Sequence, residues 1–555
     1  MLKKFLSFIS TKKIVYRYKR INKKIFNNNF SNSNTQILVE FNAFHSDHII
    51  LSYLSNYLSK KYKSKIVGFY NFSLLISELH YGLIKSLKWS LSKLLKYRNF
   101  SIYYSFGVSS IFRPKISKNQ QTNALKIFKT KFNKIKSNKD IYKFEINKIP
   151  FGDLIYDTYL KRFYVPTINV KDKKFKNFLL EFIELILFWE EYFKNNNVKA
   201  VVGVHAQYSY GVVHRIAVFK NKICLLHAEG RIYKITKKYL FQHNEFKFYR
   251  DKFKKLSSNY KKQALKMGNK VLINRIKGAT GTKSGQTYIS HSSFSTFKKN
   301  KTKNILKQNK KLNILITTQD FFDSVNGYGK TLFSDIYEWM EFCGKLSDKT
   351  EFNWYIKDHP NYAGKYQKYQ PFTENITDEI CKKYKNLIKL PSNTSHNQLI
   401  NEGVNFVLTM YGSVQFEYPY FDIPVLTASK NTPTINYNFC IHSKNLREYE
   451  KNILKLTKKK IKVDKKQIKE FYFMNFVFHN QDIVYPLYTK FNKINKKWDL
   501  YWSEKFYKYW CDNFNNKQHL KVFTVIDNFV KSNDITVNIT HLNDKNIFKK
   551  DFKKL

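Results

Sequence analysis

The sequence predicts an α/β protein with two domains, each built on a parallel sheet. The chain has 555 residues and 43% of them are hydrophobic, which is too long for one ordinary core and apolar enough to fold. Short apolar runs alternate with segments whose apolar residues recur at helical spacing, and strands that alternate with helices pair in parallel. Residues 278–311, rich in Gly, Ser, Thr and Lys, separate two such series and are predicted to be a linker.

Residues 31–277 are predicted to form the first domain. The apolar runs 35–41 and 65–70 are predicted strands, and Ile50, Leu51 and Leu54 mark a helix between them. This βαβ unit implies a parallel sheet. The same alternation returns later in the domain, with helices near 175–193 and 211–219 and strands at 198–204 and 223–226.

Residues 312–460 are predicted to form the second domain, with the same alternation of strands and helices. The predicted strands are 312–317, 352–357, 386–390, 405–410 and 424–428, and the predicted helices are 333–342, 395–402 and one beginning near 413. Residues 461–555 are rich in Lys, Phe and Trp and are predicted to form a helical segment that packs back across both domains.

The chain is strongly basic, with a formal charge of +58 and a pI near 9.8. A polyanionic partner would explain this charge, and so would an AT-rich coding sequence, which enriches Lys, Asn, Phe, Tyr and Ile together. No basic-aromatic RNA-binding motif is present, so a specific nucleic-acid partner is not expected. The basic N-terminal segment 1–30 has no acid before residue 27, and either peripheral contact with an anionic membrane or a frayed tail fits it.

Cysteine usage and hydropathy place limits on location and cofactors. The five cysteines are scattered, with no Cys-x-x-Cys pair, which favours a reducing compartment. No apolar run approaches the length of about 20 residues that crosses a bilayer. A cytoplasmic location is therefore expected, with peripheral contact at the inner face of the inner membrane as an addition. The chain has no Asp-x-Asp pair, so a metal-bridged diphosphate is not expected. It also has no Walker A or Gly-x-Gly-x-x-Gly motif, and no cofactor is expected.

Polar residues follow two predicted strands of the second domain, at the sheet edge where open α/β sheets bind ligands. Lys357, His359 and Pro360 follow one strand, and an imidazole N–H there can donate to a phosphate. Gly412 and Ser413 follow another, where glycine permits close approach and a helix N-terminus offers N–H groups to an anion. Ordinary turns and capped helices are the competing interpretation.

Together these residues resemble the capsule polysaccharide synthesis transferases, a GT-B group that includes bacterial Kdo transferases. They are similar, more distantly, to polysialyltransferases and CDP-glycerol glycerophosphotransferases. The resemblance covers about residues 310–440. Lys357, His359 and Pro360 match the family's Lys-x-His-Pro motif. The family's Gly-Ser…Glu motif, followed by Pro-Val, is matched by Gly412, Ser413, Glu417, Pro424 and Val425. Gln319, Asp323 and Ser324 match the Gln-x-x-x-Asp-Ser segment of Kdo transferases.

The resemblance implies a GT-B-like fold, in which two Rossmann-like domains face one another across a cleft and close about the linker. It implies that the second domain binds the nucleotide-sugar donor. In that case His359 and Ser413 would contact the phosphate and Glu417 the ribose. The implied donor-binding set is Gln319, Lys357, His359, Pro360, Ser395, Gly412, Ser413 and Glu417, although Ser395 also fits a simple helix cap.

The first domain would then supply the acceptor site and the general base. The family often has Glu-Asp-Gly after a strand, and this chain has Ala228-Glu229-Gly230 preceded by His227. Glu229 is the first candidate base and His227 the second, because either side chain can deprotonate a hydroxyl in a cleft. A solvated loop acid is the competing interpretation of Glu229. The candidate acceptor-binding residues are His45, Asp47, Asp153 and His205.

The resemblance implies a metal-independent glycosyltransferase that moves a sugar from a nucleotide donor to a surface or capsular polysaccharide or glycolipid acceptor. It favours a CMP-linked donor over a UDP-linked one. Two alternatives stay open. A CDP-polyol phosphotransferase of the same superfamily would form a phosphodiester instead of a glycosidic bond. A non-catalytic polyanion-binding protein would bind polymer in a salt-sensitive way, independently of His359 and Glu417.

Overall fold

The computed structural model describes residues 2–26, 30–42, 45–71, 83–228, 230–279, 292–294, 304–359, 370–457, 463–479, 483 and 503–542. These residues belong to two compact units. The first unit consists of Met1–Arg162, Ile168–Gln242 and Gln481–Asp544, and the second of Phe163–Thr167, His243–Asn480 and Lys545–Leu555. Each unit is built on its own six-stranded sheet.

The first unit alternates strands and helices from its beginning. Its elements up to residue 242 are α1 (Leu2–Ile25), β1 (Thr35–Phe41), α2 (His45–Tyr62), β2 (Lys65–Tyr70), α3 (Leu83–Leu94), α4 (Asn99–Ser105), β3 (Val108–Phe112), α5 (Lys118–Phe132), α6 (Asn138–Ile141), β4 (Glu145–Ile146), β5 (Ile149–Pro150), α7 (Gly152–Phe163), α8 (Lys173–Asn195), β6 (Asn197–Gly203), α9 (Gly211–Phe219), β7 (Ile223–Ala228) and β8 (Arg231–Ile235).

The sheet of the first unit has the order β3-β2-β1-β6-β7-β8. Its strands are parallel except β8, which pairs antiparallel with β7. Residues Ile37, Leu38 and Val39 of β1 are fully buried, as expected for a central strand covered on both faces. The chain builds the sheet outward from β1 in one direction and then from β6 in the other, so a topological switch point lies between β1 and β6.

The second unit repeats this plan. Its elements are α10 (Tyr249–Lys254), α11 (Ser258–Ile276), β9 (Asn313–Thr317), α12 (Ile336–Ser347), β10 (Asn353–Lys357), α13 (Gln370–Lys383), β11 (Leu387–Leu390), α14 (His396–Asn401), β12 (Phe406–Thr409), α15 (Val414–Glu417), β13 (Val425–Thr427), β14 (Ile441–His442), α16 (Leu446–Leu454) and α17 (Lys465–Phe473). The sheet order is β11-β10-β9-β12-β13-β14, all parallel, with its switch point between β9 and β12.

The C-terminal region packs back onto both units, as predicted. Helix α17 packs along α11 in the second unit. The last two helices, α18 (Glu504–Asp512) and α19 (Asn516–Lys531), belong to the first unit, where α18 packs on α1 and α19 on α2. Lys234 of β8 donates to the carbonyls of Phe529, Val530 and Ser532 at the end of α19, which satisfies orphan carbonyls there.

The α/β class and the pair of Rossmann-like sheets are confirmed. The described strands reproduce the predicted ones closely, because buried parallel strands appear in sequence as short apolar runs. The main segment of the second unit begins at His243, whereas the sequence placed residues up to 277 in the first domain, and α11 packs on α17 within the second unit. Most of the predicted linker, 280–291 and 295–303, lies outside the described residues.

The part of the N-terminal segment whose side chains the structure describes, residues 13–26, is not a frayed tail. The Tyr18 ring is fully buried and stacks on Tyr507 of α18, with ring centroids 4.2 Å apart. Asn22 is also buried and donates to Ser105 Oγ at 3.1 Å. Helix α1 is therefore part of the core of the first unit from about residue 18 onward. Among the described helices, none has the length and apolar character needed to cross a membrane.

Gly268 of α11 lies where the backbone of α17 approaches most closely. A Cβ atom at this position would lie 2.0 Å from Lys469 O, a contact that a backbone atom cannot relieve by rotation. We expect Gly268→Ala to destabilise the second unit by about 1–3 kcal/mol, because the two helices must separate. Lys270→Ala, at an exposed position of the same helix, should not lower the melting temperature. A melting temperature for Gly268→Ala equal to wild type would contradict this packing.

Candidate functional site

The switch point of the second sheet brings Gln319, Thr409 and Gly412 together. Gln319 Nε2 donates to Thr409 Oγ1 at 2.9 Å, and the Gly412 N–H donates to the same oxygen at 3.1 Å. A Cβ atom on Gly412 would lie 2.5 Å from Gln319 Nε2 and 2.8 Å from Thr409 Oγ1, so only glycine fits. The structure therefore joins two residues that the sequence assigned to the donor site.

Two buried oxygens at this edge have no hydrogen-bond partner among the described residues. They are Thr317 Oγ1, at the end of β9, and Gln319 Oε1, just beyond it. A buried polar atom without a partner costs free energy, and in native proteins such atoms usually face a water or a ligand. The edge is thus suited to a ligand that carries hydroxyl or phosphate groups.

Lys357 ends β10 at the same edge, and only 2% of its surface is exposed. Its Nζ donates to the carbonyl of Ser392 at 2.9 Å, and it forms no ion pair with any described residue. The neighbouring Asp358 instead accepts bonds from Thr318 and Thr377. Burial lowers the pKa of the Lys357 ammonium to about 8, and the Asp358 charge opposes that shift. A bound anion would raise this pKa again.

Three basic groups lie close enough to His396 to lower its pKa. Burial holds the pKa of His396 well below its usual range, and the charges of Lys357, His359 and Arg275 lower it further. His359 lies at the surface. Partial desolvation of its imidazole lowers the pKa of His359, and the Lys357 charge lowers it further. His396 Nδ1 lies 2.6 Å from the Tyr418 hydroxyl. We call Arg275, Lys357, His359 and His396 the basic cluster.

Glu417, the predicted ribose contact, is buried and paired with Arg275. Its Oε1 accepts from Arg275 Nε at 2.5 Å, and 3% of Glu417 and 6% of Arg275 are exposed. The Arg275 guanidinium also lies over the Phe416 ring, 5.5 Å from its centroid. The structure thus gives Glu417 a partner 142 residues away in sequence. A contact with ribose stays a prediction.

The predicted helix from Ser413 is much shorter than expected. α15 is a single turn that runs into a 3₁₀ turn at Tyr418–Phe421, and the Ser413 side chain makes no capping bond. A helix dipole at this place is therefore weak. Ser395, the other predicted donor-site serine, caps α14 by accepting from the Asn397 N–H at 3.2 Å, as the competing interpretation proposed. Pro360 lies outside the described residues.

Gln415 was missed by the sequence analysis, although it holds the loop after β12 in place. Its side-chain amide donates to the carbonyls of Tyr411 and Gly412 at 2.9 and 3.1 Å, and its oxygen accepts from Thr432 and Thr434. Gln415 is fully buried, so these bonds have no competition from water. No sequence signal distinguishes it from a surface glutamine.

In the first unit the structure joins two predicted residues, Asp47 and His227. Asp47 lies in the first turn of α2 and His227 near the end of β7, at the carboxyl edge of the sheet. Asp47 Oδ1 and His227 Nδ1 are 2.9 Å apart. A carboxylate on Nδ1 fixes the tautomer in which Nε2 can accept a proton. Glu229, the first candidate base, lies outside the described residues.

The other predicted acceptor residues have different partners. His45 Nε2 lies 3.6 Å from Glu504 Oε1 of α18. Asp153 forms a two-bond ion pair with Arg215 of α9, at 2.7 and 2.8 Å, which ties α7 to α9. His205 Nδ1 lies 3.4 Å from Gln242 Oε1. Asp153 thus has a partner within its own unit, and acceptor binding by Asp153, His45 and His205 stays a prediction.

Glu40, a buried acid at the switch point of the first sheet, was not predicted as a site residue from the sequence. Its Oε2 accepts from the Val204 N–H at 3.1 Å and from Asn71 Nδ2 at 3.4 Å. A Cβ atom on Gly203 would lie 2.5 Å from His214 Cε1 and 2.9 Å from Glu40 Oε2. Burial raises the pKa of the Glu40 carboxyl to about 7, although both hydrogen bonds lower it. The available signal was a single acid directly after the apolar run 37–39 of β1.

The raised pKa of Glu40 predicts a specific pH dependence of stability. The folded protein keeps this proton up to about pH 7, whereas an unperturbed glutamate releases it near 4.5. The stability from this group is therefore present at low pH and is lost as pH rises from 4.5 to 7. Over that interval we expect wild type to lose about 3 kcal/mol more unfolding free energy than Glu40→Gln, measured by urea denaturation. Parallel pH profiles for the two proteins would contradict a neutral Glu40.

No family model and no curated protein sequence matches this chain. Among solved structures, it is similar to UDP-GlcNAc 2-epimerase from Neisseria meningitidis bound to UDP-GlcNAc, at 12% identity over 83% of this chain and 98% of that one, with a TM-score of 0.21. It is also similar to MurG of Acinetobacter baumannii, at 10% identity over 79% and 94% of the two chains, with a TM-score of 0.21. The wall teichoic acid polymerase TagF matches at 11% identity over 96% and 98%, with a TM-score of 0.19.

These identities and TM-scores are too low to carry an argument about activity or ligand. The fold class rests on the two sheets of this chain and their strand order.

Proposed function

We propose that this protein is a glycosyltransferase that uses a nucleotide-activated sugar and binds the nucleotide phosphates in its second unit. The observation that carries the proposal is the basic cluster beside the switch point of the second sheet. Lys357 is buried without an ion pair among the described residues, and its charge lowers the pKa of both neighbouring histidines. A phosphate bound there would supply the missing negative charge and stabilise all three groups.

The same arrangement would stabilise the leaving group of the transfer. When the bond between the sugar and the phosphate breaks, negative charge develops on the phosphate oxygen. Fixed positive charge and N–H donors placed before the reaction lower the energy of that state most effectively. Lys357, which has no ion pair among the described residues, would supply the charge and His359 a hydrogen bond, so the proposed step needs no metal ion. The unpartnered oxygens of Gln319 and Thr317 would accept bonds from ligand hydroxyls.

The proposed general base is His227, oriented by Asp47, in the first unit. His227 Nε2 would take the proton of the acceptor hydroxyl as its oxygen attacks the anomeric carbon and the nucleotide leaves with the bonding electrons. The 2.9 Å contact with Asp47 supports this role, because the carboxylate stabilises the imidazolium that forms. Glu229 remains the alternative base that the family resemblance implies.

The donor and acceptor are proposed from the family resemblance. The donor would be a CMP-linked sugar, and the acceptor a surface or capsular polysaccharide or a glycolipid. The protein would act in the cytoplasm, at the inner face of the membrane where such acceptors are assembled.

The test is to incubate the protein with CMP-, CDP- and UDP-linked donors and to measure the nucleotide released by slow hydrolysis or by transfer. We expect release from one class of donor and loss of most of it in His359→Ala. Lys311→Ala, which removes an exposed lysine of the same unit, should release nucleotide at the wild-type rate. A phosphodiester product would favour the polyol phosphotransferase alternative. Release that is absent for every donor, or unchanged in His359→Ala, would contradict the proposal.

A further inference from the structure

Helix α3 of the first unit exposes a row of large aliphatic side chains. In a folded protein such residues are usually buried, and a cluster of them on one surface indicates an interaction site. The exposed fractions of these side chains are 73% for Ile84, 62% for Leu87, 47% for Leu91, 78% for Leu94 and 73% for Leu95, which directly follows the helix.

The exposed side chains lie on one face of the helix. At about 100° per residue, Ile84, Leu87, Leu91 and Leu94 fall within an arc of about 80°. Trp89 points the opposite way on the helical wheel and holds α3 on the first unit. Its ring packs against Phe41 and Tyr70, with centroids 5.7 and 5.5 Å away. The helix is thus anchored by one face and presents its aliphatic face outward.

The charged residues of α3 itself and of the segment that follows it are all basic. Residues 83–98 contain five basic residues and no acid, and no acid occurs anywhere between residues 79 and 139. Lys88, Lys96 and Arg98 are exposed. An aliphatic helix face bordered only by basic side chains is the pattern of helices that lie in the interface of an anionic bilayer. The aliphatic side chains enter the acyl boundary and the basic groups meet the lipid phosphates.

We propose that α3 is the membrane-docking surface of this protein and that its partner is an anionic lipid bilayer. A convex helix with this composition fits a planar lipid surface better than a protein partner, which would need acidic groups opposite each basic one. The site differs from the basic N-terminal segment that the sequence suggested, because α1 packs Tyr18 and Asn22 into the core.

The position of α3 links this surface to the candidate acceptor edge. Phe41 and Tyr70, which hold Trp89, are the last residues of β1 and β2. The helix therefore lies at the carboxyl edge of the first sheet, the edge to which Asp47 and His227 also belong. Docking through α3 would bring that edge close to lipid headgroups, where a lipid-linked acceptor could reach it.

The test is co-sedimentation of the full chain with two kinds of vesicle, phosphatidylcholine alone and phosphatidylcholine mixed with phosphatidylglycerol. We expect wild type to bind the mixed vesicles and to dissociate as salt is raised. Leu87→Ser/Leu94→Ser should lower the partition coefficient about tenfold or more, because each leucine contributes buried apolar surface in the bilayer. Lys88→Gln/Lys96→Gln should lower it and weaken its salt dependence.

Two further proteins make the result specific to α3. Leu454→Ser/Leu520→Ser removes two exposed leucines of other helices, 49% and 65% exposed, and should bind as wild type does. Tyr16→Ser changes the large exposed aromatic residue of α1 and should also bind normally. The proposal would be overturned if wild type ignored anionic vesicles, if the α3 variants bound as well as wild type, or if only Tyr16→Ser lost binding. All variants change exposed residues, and equal melting temperatures would show that each is folded.

Discussion

Asp47→Asn is expected to reduce turnover by about 10²–10⁴-fold while leaving nucleotide binding unchanged, because Asp47 belongs to the first unit and the proposed nucleotide site to the second. The Asp47 carboxylate, whose Oδ1 lies 2.9 Å from His227 Nδ1, keeps the imidazole proton on Nδ1. It would also stabilise the imidazolium that forms when the acceptor is deprotonated. An asparagine has the same shape, but it carries no charge and can present an N–H to the imidazole instead. The base would then be in the wrong tautomer.

The measurement is the rate of nucleotide release under saturating donor, with nucleotide affinity measured separately. Asp527→Asn is the matched control, since Asp527 is an acid of the same unit whose partners are Tyr57 and Lys531. It should turn over at the wild-type rate. Full activity in Asp47→Asn would remove His227 from the role of base and return Glu229 to first place.

Arg275→Met is expected to cause the largest loss of stability, about 3–5 kcal/mol. The substitution leaves the Glu417 carboxylate, 3% exposed, without its partner at 2.5 Å. An isolated charge in the interior costs several kcal/mol, which is why breaking a buried pair is worse than removing both members. Unfolding of the second unit in urea should therefore begin at a much lower concentration than in wild type.

The double variant Arg275→Met/Glu417→Leu distinguishes this explanation from a simple loss of packing. Without a buried charge it should regain most of the stability that Arg275→Met loses. Lys311→Met, at the exposed ion pair with Glu351, should leave the melting temperature nearly unchanged, because water replaces an exposed partner. A double variant as unstable as Arg275→Met would show that packing, and not the unpaired charge, dominates.

The strands could be predicted from sequence because each is a short apolar run with a polar residue after it. β1 and β2 have the predicted bounds, and the ends of β9, β10 and β12 place polar residues at one edge as expected. β8 was missed, since its pairing with β7 is antiparallel and its residues alternate without a long apolar run. Local pattern identifies an element, but only the folded chain shows what its neighbours are.

The candidate sites divide in the same way. Lys357, His359 and Gly412 were predicted from their position at or just after the end of a strand, and their binding of a donor stays a prediction. Arg275 was not found, because its connection to Glu417 spans 142 residues and depends on where α11 packs. Glu40 carried a signal, since it is the single acid of β1 and directly follows an apolar run, but its importance depends on the burial and hydrogen bonds that only the fold supplies.

The central claim is that the basic cluster of the second unit binds the phosphate of a nucleotide. Isothermal titration of wild type and His359→Ala with CMP, CDP, UDP and GDP, and with a short single-stranded nucleic acid, tests it most directly. The account predicts that at least one nucleotide binds wild type and that the affinity falls about tenfold or more in His359→Ala, since a phosphate loses a hydrogen bond to the imidazole. Binding of nucleic acid alone, salt-sensitive and equal in both proteins, would contradict the claim and favour a polyanion-binding protein.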